Sequence, residues 1–140
     1  MILNLVYGKG SQLKRSLMLF AVLMALAACS SNSPQSAKDL PAGDASRGAD
    51  LFTQSVDGAP ACSSCHTVDG STLIGPSFKG FGAVAGTRVA GQDAAEYTFQ
   101  SITRPATFIV SGYSNLMYNQ FAQHLTAQQI ADLSAYILAR

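Results

Sequence analysis

The stretch Cys62-Ser63-Ser64-Cys65-His66 decides how the rest of this 140-residue chain is interpreted. Cysteines three positions apart lie on the same side of a helical turn, so both sulfurs can reach one planar group. The histidine that follows directly then comes beside the centre of that group. This spacing is typical of covalent attachment of a c-type haem, with thioethers from Cys62 and Cys65 and the iron ligated by His66.

Three other uses of two cysteines and a histidine fit the sequence less well. A structural zinc site needs four ligands. Beyond residue 28 the chain offers only Cys62, Cys65, two histidines and Cys29, which is itself a candidate for lipid attachment. A thioredoxin-like dithiol needs a strand and a helix around it, whereas glycines and turn residues flank this motif. A simple disulfide would leave His66 unexplained.

The second axial ligand of the iron is less certain from the residues alone. The candidates are Met117, His124, another side chain, or none. Met117 lies in the turn-rich stretch "SGYSNLMYNQF", where a methionine is harder to explain as core filler than on an apolar helix face. His124 lies just before the last predicted helix, where an exposed polar residue is ordinary. The residues therefore favour Met117.

The N-terminal segment has the pattern of an export signal. An uncharged apolar run covers residues 16–28 and follows Lys9, Lys14 and Arg15. It is shorter than the roughly 20 residues that a membrane-spanning helix needs. A basic start, a short apolar centre and small residues at the end predict a cleaved signal over residues 1–28 and a protein that works outside the cytoplasm.

Cys29 closes the sequence "LAAC", which resembles the lipobox of bacterial lipoproteins. The resemblance implies cleavage before Cys29, lipidation of its sulfur, and anchoring to the periplasmic or outer face of a bacterial membrane. The alternative is an ordinary secretory signal with Cys29 as a stray thiol. Residues 29–43 are polar, contain two prolines and show no periodicity, so they are expected to form a flexible tether ahead of a domain over residues 44–140.

The charge of the expected mature chain excludes one class of partner. Residues 29–140 carry six basic and eight acidic side chains, a formal charge of −2. A nucleic-acid-binding surface needs a basic stripe, so no nucleic-acid partner is expected.

Three helices are predicted in the domain. The first covers about residues 45–54 with Asp44 as its N-cap, and the second about residues 93–102, before Arg104 and Pro105. The third starts at Thr126, which forms a capping box with Gln129. The glycine-rich segment between the haem motif and the second helix cannot form a core by itself. It is expected to wrap a large apolar object such as a haem.

Several further residues match a known family. Gly48 and Phe52, the haem motif, "GPSF" at residues 75–78, "SGY" before Met117, and the final "LTAQQIADLSAYI" together resemble a class I, monohaem cytochrome c domain. The resemblance implies an all-α fold in which helices and glycine-rich loops wrap one covalent haem c. It also implies that the first and last helices cross closely, with Gly48 and Phe52 against Leu133 and Tyr136.

The resemblance also assigns roles around the haem. The backbone carbonyl of Pro76 is implied to accept a hydrogen bond from the ring of His66, Phe78 to pack on the haem face, and Tyr113 to reach a propionate. Met117 is implied to be the second iron ligand. Many relatives have proline directly after that methionine, whereas Tyr118 occupies the position here.

The function implied is that of an electron carrier, not an enzyme, whose iron cycles between Fe(II) and Fe(III) in a respiratory or photosynthetic chain. The expected partners are a quinol-oxidising complex as donor and an oxidase or another cytochrome as acceptor. The loop sequences are most similar to membrane-associated members, such as domains fused to oxidase subunit II or the monohaem subunit of alternative complex III. Two alternatives remain, namely a haem peroxidase or gas sensor with an open sixth position, and a fixed relay subunit of a larger complex.

Overall fold

Five α-helices and four short 3-10 turns make up the regular structure of residues 33–140, the part of the chain that this computed structural model describes. The helices are α1 (Ala45–Phe52), α2 (Phe81–Val84), α3 (Ala94–Thr103), α4 (Phe121–His124) and α5 (Ala127–Leu138). The 3-10 turns cover Ala37–Asp39, Cys62–Ser64, Ala85–Thr87 and Pro105–Thr107. These residues contain no β-strand, which confirms the predicted all-α class.

The three longer helices begin where their capping residues predict. The carboxylate of Asp44 accepts hydrogen bonds from the first turn of α1, and that of Asp93 accepts one from the N–H of Glu96 in α3. Thr126 and Gln129 form the expected capping box at the start of α5. Such caps satisfy N–H groups that have no partner within the helix. Only the ends differ from expectation, by one or two residues.

α1 and α5 pack against each other more extensively than any other pair of helices. A Cβ added to Gly48 would overlap the carbonyl oxygen of Asp132 in α5, so only glycine allows this approach. The ring of Phe52 lies 5.3 Å from that of Tyr136, and Phe52 and Leu133 belong to the same buried cluster. The close crossing implied by the sequence is therefore present.

A buried carboxylate joins the two helices. Asp132, 2% exposed, accepts hydrogen bonds from Nε and Nη2 of Arg47 at 2.8 and 2.9 Å. It also accepts from the backbone N–H of Asp44 at 2.7 Å and from Nε2 of Gln128 at 2.9 Å. A buried charge is tolerated where it is paired and hydrogen-bonded in this way. Asp132 thus fixes the start of α1 against the middle of α5.

The expected flexible tether is in part wrong, because the compact unit begins at Pro34 rather than Asp44. Residues 34–43, here called the N-terminal strap, run along the domain. The N–H of Ala37 donates to Oε2 of Glu96 at 2.8 Å, and the carbonyl of Ala42 accepts from Gln128 at 2.9 Å. Leu40 packs against the core. These contacts use backbone groups and one apolar side chain, which leave no periodic pattern in the sequence.

Two expectations lie outside the described residues. They are the signal segment 1–28 and the lipidation of Cys29. Within residues 33–140, none of the helices combines the length and the apolar character needed to cross a membrane.

The pairing of Asp132 with Arg47 predicts a specific dependence of stability on pH. Hydrogen bonds from Arg47, above all, lower the pKa of Asp132 to about 2 from its usual 3.8. Because the folded-state pKa is depressed, the stabilisation is complete above the unfolded pKa and is lost as the pH falls toward 2. We expect Asp132→Asn to lower the free energy of unfolding at pH 7 by about 2 kcal/mol.

Denaturant unfolding of the haem-loaded protein between pH 2 and pH 7 measures this effect. The difference between parent and Asp132→Asn should shrink as the pH falls below about 4. Asp50→Asn, an exposed change on the same helix α1, serves as the control and should change stability little. A difference for Asp132→Asn that stays constant down to pH 2 would contradict the assignment.

Candidate haem site

Both cysteines of the motif lie on the wall of one large cavity. Cys62–Ser64 forms a 3-10 turn, and the N–H groups of Cys65 and His66 both donate to the carbonyl of Cys62, at 3.1 and 2.9 Å. The tight turn places the two sulfurs and the imidazole on the same cavity. Both cysteines are half-buried and free.

Burial of Cys62 makes its thiol less reactive before haem is attached. Burial raises the pKa of its sulfur to about 11, so the thiol stays protonated near neutral pH. Since the thiolate is the form that exchanges with disulfides, this sulfur is poorly reactive toward them before the thioether is made.

The ring of His66 is held in one orientation. Its Nδ1 lies 2.8 Å from the carbonyl oxygen of Pro76, and Phe78 stacks on it with ring centroids 4.7 Å apart and planes at 22°. When Nδ1–H donates to this carbonyl, the lone pair is on Nε2, which is then free to bind a metal. Outer-shell hydrogen bonds of this kind orient ligand histidines and raise their basicity.

Burial also keeps His66 in the form that can ligate. The pKa of His66 is lowered because desolvation of the ring outweighs the hydrogen bond to Pro76. A neutral imidazole is the metal-binding form of histidine. The ring is therefore unprotonated at neutral pH.

A glycine makes room for this ring. A Cβ added to Gly75 would lie 2.5 Å from Cε1 of His66, well inside van der Waals contact. The N–H of Gly75 donates to the carbonyl of Cys65 at 2.9 Å. Gly75 and Pro76 together form a cradle for the imidazole, from which any larger residue at position 75 would displace it.

The segment between α3 and α4 supplies another part of the cavity wall. Met117 is half-buried there, and Tyr113 lines the same cavity. His124 is not among the lining residues, and its Nε2 lies 2.9 Å from the hydroxyl of Tyr118. Met117, Tyr113, Pro76 and Phe78 thus line the same cavity as the haem motif. His124 does not line it.

Phe78 has a more specific position than the sequence suggested. Besides stacking on His66, it makes edge contacts with Phe52 and Phe81 at centroid distances of 6.0 and 5.3 Å. It therefore connects the imidazole to helices α1 and α2. Its expected contact with the haem face stays a prediction.

Arg88 is a lining residue that sequence reasoning missed. Within the described part of the chain, it is the only lysine, arginine, aspartate or glutamate on the cavity wall. A guanidinium beside an otherwise uncharged cavity suits a carboxylate-bearing ligand, and haem carries two propionates. The signal was present, because Arg88 is the only charged residue between Lys79 and Asp93.

The polarity of the cavity fits a porphyrin. Its empty space, which is about 1300 Å³ with the part that opens to solvent included, is enclosed mainly by apolar side chains, as is usual for ligand sites. Apolar side chains of helices α2 to α5 and of the segments between them line it, including Phe81, Ile102, Phe108, Phe121, Leu125, Leu133 and Ile137. In residues 33–140, no three histidine, cysteine or acidic side chains come together as a metal-binding group. The cavity therefore suits a flat macrocycle better than a bare ion.

The fold and the site together define a class, namely a small all-α protein that wraps a covalently attached haem. A family model described as Cytochrome c matches residues 45–140, more than half of the chain. The chain therefore belongs to the cytochrome c family and carries haem c through Cys62 and Cys65, the only cysteines in the described part. Its members are generally electron carriers rather than enzymes. Comparison with curated proteins gives no match.

The cradle around His66 leads to a test at position 75. Gly75→Ala should displace the imidazole and reduce the fraction of haem-loaded protein, with a loss of stability of about 1–3 kcal/mol from overpacking. Haem content per protein and the absorption spectrum measure the effect. The matched control is Gly86→Ala, whose added Cβ comes no nearer than 3.3 Å to Ala94. Equal haem content and equal spectra in both variants would refute the cradle.

Proposed function

We propose that this protein is a lipid-anchored, monohaem electron carrier whose iron is ligated by His66 and Met117. One observation carries the ligand assignment: the cavity that the haem motif lines is also lined by Met117 and not by His124. Within residues 33–140, Met117 is the only methionine. The other candidate that the sequence offered, His124, is engaged by Tyr118.

The ligand pair suits electron transfer. When bound, the haem supplies an iron that alternates between Fe(II) and Fe(III). Ligation by both His66 and Met117 lets the oxidation state change without exchange of ligands, and a methionine ligand raises the reduction potential. The wall around the haem is largely apolar, and Arg88 and Tyr113 offer polar contacts to the propionates. Two protein ligands and an apolar pocket favour a carrier over a peroxidase or gas sensor.

The strap supports an anchored protein with restricted motion. If Cys29 carries the lipid, only residues 30–33 separate it from the compact unit, a path of at most about 18 Å. The strap contacts Glu96, whereas Thr98, Ser101 and Ile102 line the cavity. At 3.6 residues per turn, these three lie on the opposite side of α3 from Glu96. The strap therefore approaches α3 on the side away from the haem.

This arrangement bears on the choice between a mobile carrier and a fixed relay subunit. The strap contacts the Glu96 side of α3, so at this helix it does not cover the cavity. A short anchor also limits the distance over which the domain can search, which favours a donor and acceptor held in the same membrane. We infer a quinol-oxidising complex as donor and an oxidase or another cytochrome as acceptor.

Exposed apolar side chains surround the cavity and suit the docking of such a partner. Ile74, Phe108, Ile109 and Leu116 line the cavity and are 38–70% exposed. Of the charged residues, only Arg88 lines the same wall in the described part. We infer that docking rests on apolar contact rather than on long-range attraction between charges.

Replacement of Met117 tests the ligand assignment. In Met117→Ala, the weak long-wavelength sulfur-to-iron band of the oxidised protein should vanish. The reduction potential should fall by on the order of 0.2 V, a part of the range that axial ligands control. The reduced variant should bind carbon monoxide rapidly, whereas the parent binds it slowly or not at all.

His124→Leu is the matched variant at the competing residue, and it should retain the sulfur-to-iron band. An unchanged spectrum in Met117→Ala would end the assignment. Rapid and complete binding of carbon monoxide to the parent would instead favour the peroxidase or gas-sensor alternative.

Ionic strength tests the mode of docking. Electrostatically steered association changes by ~10- to 1000-fold with salt, whereas here the rate of electron exchange with its partner should change by less than about threefold. Leu116→Ser, at a side chain 70% exposed beside the cavity, should slow exchange by about three- to tenfold. Val84→Ser, 39% exposed and not on the cavity wall, should not. A steep fall in rate with added salt is the opposing result.

A further inference from the structure

The residue directly after Met117 makes contacts that no family pattern explains. Tyr118 is half-buried, and its ring meets that of Phe121 edge-on, with centroids 5.1 Å apart and planes at 77°. Its hydroxyl lies 2.9 Å from Nε2 of His124 and 3.1 Å from Oε1 of Gln120. Three contacts thus attach this one side chain to helix α4 and the turn before it.

Both hydroxyl contacts can exist at the same time. A tyrosine hydroxyl has one hydrogen to donate and lone pairs to accept with. It donates to Oε1 of Gln120, which can only accept, while it accepts from Nε2–H of His124. Nε2 of His124 then carries the hydrogen of this bond. The polar contacts around Tyr118 are thereby satisfied without any further group.

The backbone around Met117 has little support of its own. In the described part of the chain, neither the N–H nor the C=O of Met117 has a hydrogen-bond partner. The nearest backbone bonds are from Leu116 N–H to Ser114 on one side and from Gln123 N–H to Gln120 on the other. A proline at position 118 would restrict φ by its ring, but tyrosine does not. Met117 packs against the core cluster, and the side chain of Tyr118 supplies the hydrogen bonds that tie this stretch to α4 and the turn before it.

The other end of these contacts is firmly fixed. Phe121 is 6% exposed and belongs to the core cluster, and the N–H of Leu125 donates to its carbonyl at 2.9 Å. Helix α4 is therefore anchored by the buried side chain of Phe121. Because Tyr118 is hydrogen-bonded to His124 of this anchored helix, the residue next to Met117 is held in place as well.

We propose that Tyr118 and His124 form a latch that positions Met117, so that Tyr118 replaces the missing proline with a breakable hydrogen bond. Both are positioning residues, since they act through Met117. The proposal rests on Met117 being the sixth ligand. Its consequence is that the strength of the latch sets how often Met117 leaves its place and how readily an external ligand enters.

The test uses Tyr118→Phe in the haem-loaded, full-length protein. This change keeps the ring against Phe121 and removes only the hydroxyl. Loss of one hydrogen bond of ordinary strength corresponds to a factor of about five in an equilibrium. We therefore expect carbon monoxide to bind the reduced variant at least about fivefold faster than the parent, with the sulfur-to-iron band retained in the oxidised form.

Tyr136→Phe is the matched control. It makes the same chemical change on α5, at a ring that packs on Phe52 and beneath Arg140 and does not line the cavity. Its rate of carbon monoxide binding should equal that of the parent. Equal melting temperatures of Tyr118→Phe and Tyr136→Phe would show that the faster binding does not come from general loosening of the fold.

His124→Leu tests the other half of the latch, since it removes the ring nitrogen and keeps an apolar side chain of moderate size. It should accelerate binding to a similar degree as Tyr118→Phe. The double variant should be no faster than Tyr118→Phe alone, because Tyr118→Phe already removes the bond that His124→Leu removes. Rates that multiply in the double variant would overturn the latch.

The outcomes separate the latch from the ligand assignment on which it rests. If the parent shows the sulfur-to-iron band and Met117→Ala loses it, Met117 is the ligand. Tyr118→Phe and parent binding carbon monoxide at equal rates would then refute the latch alone. If the parent lacks that band, or Met117→Ala retains it, both the ligand assignment and the latch are wrong.

Discussion

The hydrophobic core of this protein and the wall of its haem cavity are in large part the same residues, and the rest of the structure depends on this. Ile102, Phe121, Leu125, Leu133 and Ile137 belong to the buried cluster and also line the cavity. A small domain buries a smaller fraction of its surface on folding than a large one does and is correspondingly less stable. Haem supplies the missing apolar volume, so binding of the cofactor and stability of the fold are coupled.

A few close contacts hold the helices and loops around this cavity in place. Gly48 allows α1 to approach the backbone of α5. Asp132 of α5 stabilises this crossing by accepting hydrogen bonds from Arg47 of α1. On the cavity side, Gly75 and Pro76 hold His66 in a single orientation. The wall around Met117 is held differently. In the described residues, the backbone of Met117 makes no hydrogen bond, and the side chain of Tyr118 ties this stretch to α4. The segments that carry His66 and Met117 are therefore held in different ways, the first by backbone geometry and the second by side-chain contacts, including those of Tyr118.

Much of this could be predicted from the sequence because it depends on local rules. Capping residues predicted the starts of α1 and α5, Arg104 and Pro105 predicted the end of α3, and the spacing of Cys62, Cys65 and His66 predicted the attachment of haem. The resemblance to a known family added the hydrogen bond from His66 to Pro76. What could not be predicted depends on contacts that no local rule describes. The strap docks through backbone groups onto Glu96 and Gln128, and a backbone group has the same chemistry in every sequence. The bond from Tyr118 to His124 joins side chains six residues apart, a spacing at which no capping or turn rule predicts a contact.

The central claim is that Met117 binds the iron from within the cavity that the haem motif lines. Nuclear magnetic resonance of the reduced protein, with ¹³C-labelled methionine methyl groups, tests it most directly, because Met117 is the only methionine in residues 33–140. A methyl group held over the face of a porphyrin is strongly shielded by the ring current. The account predicts one methionine methyl signal displaced far upfield of the ordinary range, and its loss in Met117→Ala. Methionine methyl signals that all fall within the ordinary range would contradict it.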